Sequence, residues 1–203
     1  TYGDERRTEI IPEEVQEFNI EDLIAKEDMV ILISNKSLIK RIPVSAYRRQ
    51  GRGGKGSSST RLRETDFVEH LFIASTHDYI MFITSEGKAY WLKVHEIPEA
   101  SRASRGQSVK TLLAISNNEE IAAVVSLKDF SEDRYFFMMT LKGIVKKVQT
   151  SDFSNARTRG IVAIKLDKGD RLISAMLTGG KDEVIAVTRQ GLALRFNEDS
   201  VRP

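Results

Sequence analysis

The segment Gln50-Gly51-Arg52-Gly53-Gly54-Lys55-Gly56 sets two cations among four glycines, and Arg48 and Arg49 precede it directly. Glycine lets a backbone approach another chain closely and aim its N–H groups at an anion. The four cations add charge for phosphate oxygens. This fits contact with an extended polyanion, of a kind that favours affinity over base reading. A solvated surface loop with incidental charge is the alternative. A nucleotide-binding P-loop does not fit. That motif ends Gly-Lys-Ser/Thr, and here Lys55 is followed by Gly56-Ser57.

Nothing else gathers into a reactive set. His70, His77 and His95 lack metal-ligand spacing, and no third group accompanies His95-Glu96. Asp66 with Glu69 reads as a solvated edge, and Asp152 and Asp182 as turn markers. With no cysteine there is neither a disulfide framework nor a thiolate metal site. The expectation is no catalytic residue, no metal and no cofactor in this chain.

The elements that must carry the loop come from a repeat. Four apolar runs, Met29–Ile33, Tyr79–Ile83, Tyr135–Met139 and Glu183–Val187, each end in a turn closed by Ser37, Gly87, Gly143 or Gly191. Those closing residues are 50, 56 and 48 apart. A basic-glycine step recurs almost in the same period, at Lys55-Gly56, Arg105-Gly106 and Arg159-Gly160. β-Branched and aromatic runs closed by turn residues predict hairpins. Each unit offers about four short strands, in the second near 79–83, 89–94, 109–115 and 121–127. That is the pattern of propeller blades: all-β, with repeats at about 28–77, 78–132, 133–181 and a partial 182–203, in an open or incomplete ring. Residues 1–27 read as an acidic linker holding one helical turn near Asn19–Ile24.

Equivalent positions of a blade array share a rim. Four residues past each turn stand Arg41, Trp91, Lys147 and Arg195, and around the steps lie Arg52, Lys55, Arg102, Arg105, Arg157 and Arg159. Recurrent cations in phase predict a basic band suited to a duplex running around the outside. Ordinary surface charge is the other reading. Trp91, Tyr90 and Tyr135 fall in apolar strand patterns and are expected in the core or at edges.

Charge supports the band. The net charge of +2 conceals ten acidic and three basic residues among the first thirty, which leaves +9 on the remainder. Such asymmetry points to a nucleic-acid partner. No apolar run approaches the ~20 residues of a membrane helix. Thr1–Arg7 lacks signal-peptide shape.

The loop Gln50–Gly56 resembles the GyrA box, and the repeat around it resembles the C-terminal domain of the DNA gyrase A subunit. Arg6–Ile10, Glu21–Ile24, Ala74–Asp78, Pro98–Arg102, Gly143–Lys147 and Val162–Leu166 carry the resemblance over essentially the whole chain. Gly51 departs from it, standing where the family usually has a basic residue. The resemblance implies a β-pinwheel whose blades exchange strands and a basic rim around which double-stranded DNA bends. It also implies a box that completes the wrap, and service to ATP-dependent negative supercoiling. The active-site tyrosine would belong to an upstream breakage-reunion domain, to which 1–27 would be the linker, and none of this chain's tyrosines matches its motif. ATP and magnesium would act elsewhere. Gyrase A and B subunits in a cytoplasmic, nucleoid-associated A2B2 holoenzyme are the implied partners, and the isolated domain would be monomeric. Alternatives are the equivalent domain of topoisomerase IV, steering DNA with little wrapping, and a propeller-type protein-interaction scaffold.

Overall fold

A computed structural model describes residues 20–47, 51–54, 56, 60, 65–131 and 133–202. Hairpins are its unit. Strand β1 (Asp28–Ser34) turns at Ser37 into β2 (Leu38–Pro43), and β3 (Val68–Ser75) pairs along the other side of β1. The second unit repeats this with β4 (Tyr79–Thr84), β5 (Lys88–Lys93) and β7 (Ile121–Leu127). The third does so with β8 (Tyr135–Thr140), β9 (Val145–Gln149) and β11 (Leu172–Thr178). The fourth holds the hairpin β12 (Glu183–Val187) and β13 (Ala193–Asn197). The strand pairings are antiparallel. A short 3-10 turn follows each hairpin, at Val44–Ala46, Val94–Glu96, Thr150–Phe153 and Glu198–Ser200.

Two further strands are short and cross between units. Strand β6 (Gln107–Ser108) follows β5 in sequence yet pairs with β2, giving the first sheet the order β3-β1-β2-β6. Strand β10 (Ile161–Val162) pairs with β5, giving the second sheet the order β10-β5-β4-β7. The fourth strand of each of these sheets is thus lent by the next repeat, as the family resemblance implies.

The central strands are apolar throughout because both faces are covered. Ile80 and Phe82 look back into a core with Met29, Ile31, Ile33 and Ile39 of the first sheet. Met81 and Ile83 look forward into a second core with Phe136, Met138 and Phe153. Fully burying such a side chain is favourable by about 1.5–3 kcal/mol, so the sheets stack face to face instead of standing apart. The last hairpin is covered on one face only: Val184 is buried, whereas Ile185 and Val187 are 65% and 67% exposed. Among the described residues the sheets do not close into a ring.

One expectation is corrected. Residues 109–115 are not a strand. They form the helical turn α1 (Val109–Leu112) and its exit. Val109 and Leu113 stand four apart, on one side of the turn, and both are buried in the first core. The Leu113 amide donates to the Val109 carbonyl at 2.9 Å. A run whose apolar residues recur at i and i+4 satisfies that core better as a helix than as a strand.

Candidate nucleic-acid interface

The basic-glycine steps Arg105-Gly106 and Arg159-Gly160 sit where the chain leaves its own sheet to join the one before. Gly106 precedes β6, and Gly160 precedes β10. Both have left-handed φ, +88° and +70°. A Cβ on Gly106 would come within 2.5 Å of the Ile39 carbonyl oxygen, and one on Gly160 would land on the Tyr90 ring. Glycine is therefore demanded by the crossover. Its neighbours are left outside: Arg102, Arg105, Arg157 and Arg159 are all exposed. Beside Arg102 runs an open groove of about 600 Å³, lined also by Ile42, Pro43, Ala46, Glu99, Ala100 and Ser101.

The first copy of this step is the glycine-rich loop. Gly51, Arg52, Gly53, Gly54 and Gly56 are exposed. The Gly54 amide donates to the Gly51 carbonyl at 3.3 Å, closing a tight turn with Arg52 and a left-handed Gly53 at its tip. Gln50, Lys55, Arg48 and Arg49 lie outside the described residues.

The in-phase set behaves differently from its expected place on the rim. Arg41, Trp91, Lys147 and Arg195 occupy one register position, opposite Ile31, Met81, Phe137 and Ile185. The first three reach forward to the next repeat. Arg41 Nε donates to the Ile97 carbonyl at 2.6 Å, and its guanidinium lies 3.6 Å from Glu99. Trp91 Nε1 donates to the Phe153 carbonyl at 3.1 Å. Lys147 Nζ donates to the Glu198 carbonyl at 3.1 Å, is 4% exposed and lies over the Tyr135 ring. Arg41 and Lys147, expected on the rim, each give a donor to a backbone carbonyl of the following unit. They act as latches between repeats. Arg195 is exposed and pairs with Glu183 across its hairpin at 2.7 Å.

Lys40, one position earlier, carries no signal in the sequence beyond being a cation within an apolar strand. It is 1% exposed. Its ammonium donates to the carbonyls of Ser101, Arg102 and Ser104 at 3.2, 3.0 and 2.7 Å. Burial pushes its pKa down. The structural charges elsewhere are paired in a similar way. Glu119 is fully buried and takes Lys88 Nζ at 2.6 Å. Glu21 takes Lys93 Nζ at 2.6 Å, and this bond holds its carboxyl below the ordinary range. The histidines do not converge: His77 Nε2 meets the Ile24 carbonyl and His95 Nδ1 the Thr76 carbonyl. Among the described residues no three His, Asp or Glu side chains are grouped to hold a metal.

Four hairpin repeats, the first three joined by two crossover strands with an exposed arginine step before each, match a known family. It is the DNA gyrase C-terminal domain, beta-propeller, whose model covers residues 28–75, 78–128, 134–178 and 182–203. The chain belongs to this family. Members similar to it include the DNA gyrase A subunit of Treponema pallidum (strain Nichols), 57% identical over 99% of this chain and 25% of that protein. The DNA gyrase A subunit of Escherichia coli (strain K12) is 44% identical over 99% of this chain and 23% of that protein. The chain thus spans about a quarter of the relatives it matches. A solved C-terminal domain of DNA topoisomerase IV superposes with TM-score 0.75 at 27% identity, covering 88% of this chain and 54% of that one. A solved DNA gyrase A C-terminal domain superposes with TM-score 0.67 at 31% identity, covering 87% and 56%.

Proposed function

We propose that this gyrase C-terminal domain chain binds double-stranded DNA without sequence preference and bends it along the edge where the repeats cross over. The observation that carries this reading is the recurrence of exposed arginines at successive crossovers, Arg102 with Arg105 and Arg157 with Arg159, on a step whose glycine is sterically required. Phosphates of a duplex following the stack would meet one step per blade. Smoothly bending 20–30 bp by 40–90° costs on the order of 1–6 kcal/mol. Counterion release at several arginines offsets it. Gln50, Gly51, Arg52, Gly53, Gly54, Lys55 and Gly56 would act as the box that fixes the path of the DNA, and Arg48, Arg49 and Arg195 would add charge to it.

On this reading the chain contributes to negative supercoiling by a type IIA topoisomerase, within a cytoplasmic gyrase assembly of A and B subunits. DNA breakage and ATP use would belong to other parts of that assembly. The likeness to a topoisomerase IV domain supports a second reading, in which DNA is bound and steered with little wrapping. A salt titration on duplexes of graded length tests both. Affinity that rises with length and falls steeply with salt is expected. Length-independent affinity would overturn bending along the stack and favour a compact contact.

A further inference from the structure

We propose that Lys40 is the positioning residue of the Arg102/Arg105 step: its buried ammonium gathers three carbonyls of the loop and so presents both arginines outward. This rests on the DNA-binding reading above. The loop is a tight turn, with the Ser104 amide donating to the Ser101 carbonyl at 3.1 Å and the Gly106 amide to Ser104 Oγ at 3.3 Å. Lys40 takes the carbonyl at each end of that turn and the Arg102 carbonyl between them. Thr60 Oγ1 also donates to the Ser104 carbonyl, at 3.3 Å. Carbonyls gathered on one buried cation hold the turn's backbone in place, while the Arg102 and Arg105 side chains that it carries remain exposed. An ammonium suits this task because it offers three donors in a compact head. A phosphate site held in this way loses little loop freedom on binding.

The matching positions of the next two repeats are used otherwise. Tyr90 packs on Gly160 of the following repeat, and Lys146 donates to the Ala163 carbonyl of its own repeat at 2.8 Å. The three-carbonyl grip is therefore particular to the first crossover, where the arginine step lies one repeat after the glycine-rich loop. Removing it should free this step and leave the second intact.

The test compares the full chain with K40M, K40Y and R102A/R105A, reading the slope of log affinity against log salt on a long duplex. K40Y is included because tyrosine is native at the matching position, so a fold lost in K40M still leaves a variant to measure. The double arginine variant is expected to lose about two units of slope, roughly 0.9 per phosphate contact. K40M and K40Y are each expected to lose most of those two units of slope while keeping both arginines, which a purely structural lysine would not cause in folded protein. Amide exchange on the unaltered chain gives a second readout: slow exchange at Ser104 and Gly106 is expected. An unchanged slope in R102A/R105A overturns the DNA reading. A slope lost there but kept in the Lys40 variants, or fast exchange at Ser104, overturns the positioning role alone.

Discussion

Gly160 lies against the face of Tyr90, so close that a methyl group in place of its hydrogen would enter the ring. Tyr90 is itself 1% exposed and belongs to the core between the first two sheets, so it cannot yield. The contact joins the third repeat to the second at the point where the chain crosses over, next to the exposed Arg159.

G160A should therefore cost more than the left-handed backbone alone, about 2–4 kcal/mol with the clash included. The control is G143A. Gly143 has φ +84° with no atom near its Cβ position, and its alanine should cost about 1–2 kcal/mol. Urea unfolding midpoints compare the two. Equal losses would mean that the Tyr90 contact is soft.

Latches and DNA-facing arginines should separate cleanly. R41M removes a charged donor from the Ile97 carbonyl and is expected to cost about 1.5–3 kcal/mol of stability, with the salt slope of DNA binding unchanged. R159A should do the reverse, lowering the slope by about one contact while the unfolding midpoint stays within about 0.5 kcal/mol. A fall in slope with R41M would return that residue to the DNA path.

This contrast marks what the sequence could and could not disclose. The central strands were legible because burial on both faces writes continuous apolar runs, and the repeat period located the turns and the arginine steps. The same period could not tell a latch from a rim residue. It places Arg41, Trp91 and Lys147 at one register position but says nothing of the carbonyls in front of them. Strands β6 and β10 have two residues each, too few for any periodicity, and their pairing is remote in sequence. The helical turn at Val109 was hidden because a short apolar run is ambiguous between helix and strand. Lys40 was hidden because its partners are main-chain oxygens, which leave no residue signature.

Acid should weaken the fold partly through Glu119. Burial alone would raise its carboxyl pKa, but the Lys88 ammonium, with the Thr84 and Ser116 hydroxyls beside it, outweighs burial and holds it below the usual value. A depressed carboxyl pKa gives stability that is present above the unfolded value and lost as pH falls through the folded one. Lys88 is raised, foremost by its hydrogen bond to Glu119. Its share is present below the unfolded lysine value and lost as pH climbs through the raised one. E119Q should flatten both limbs of the stability profile, most visibly between neutrality and about pH 3. Unfolding midpoints across that range check it, and parallel profiles would contradict the pairing.

Replacing Gln50–Gly56 by alanines should leave the sheets intact, since the described residues of the loop are exposed. Circular dichroism and the unfolding midpoint should be nearly those of the parent, and much of the DNA affinity should persist through the arginine steps. Net wrapping of long DNA should be lost. Retained wrapping would remove the loop from the DNA path.

The central claim is that DNA bends and wraps along the crossover edge. Nicked circular plasmid religated in the presence of increasing amounts of this chain, then stripped of protein, tests it most directly. The account predicts a shift in linking number that grows with the amount bound. Firm binding by gel shift with no change in linking number would contradict chiral wrapping and favour the reading in which DNA is held and steered.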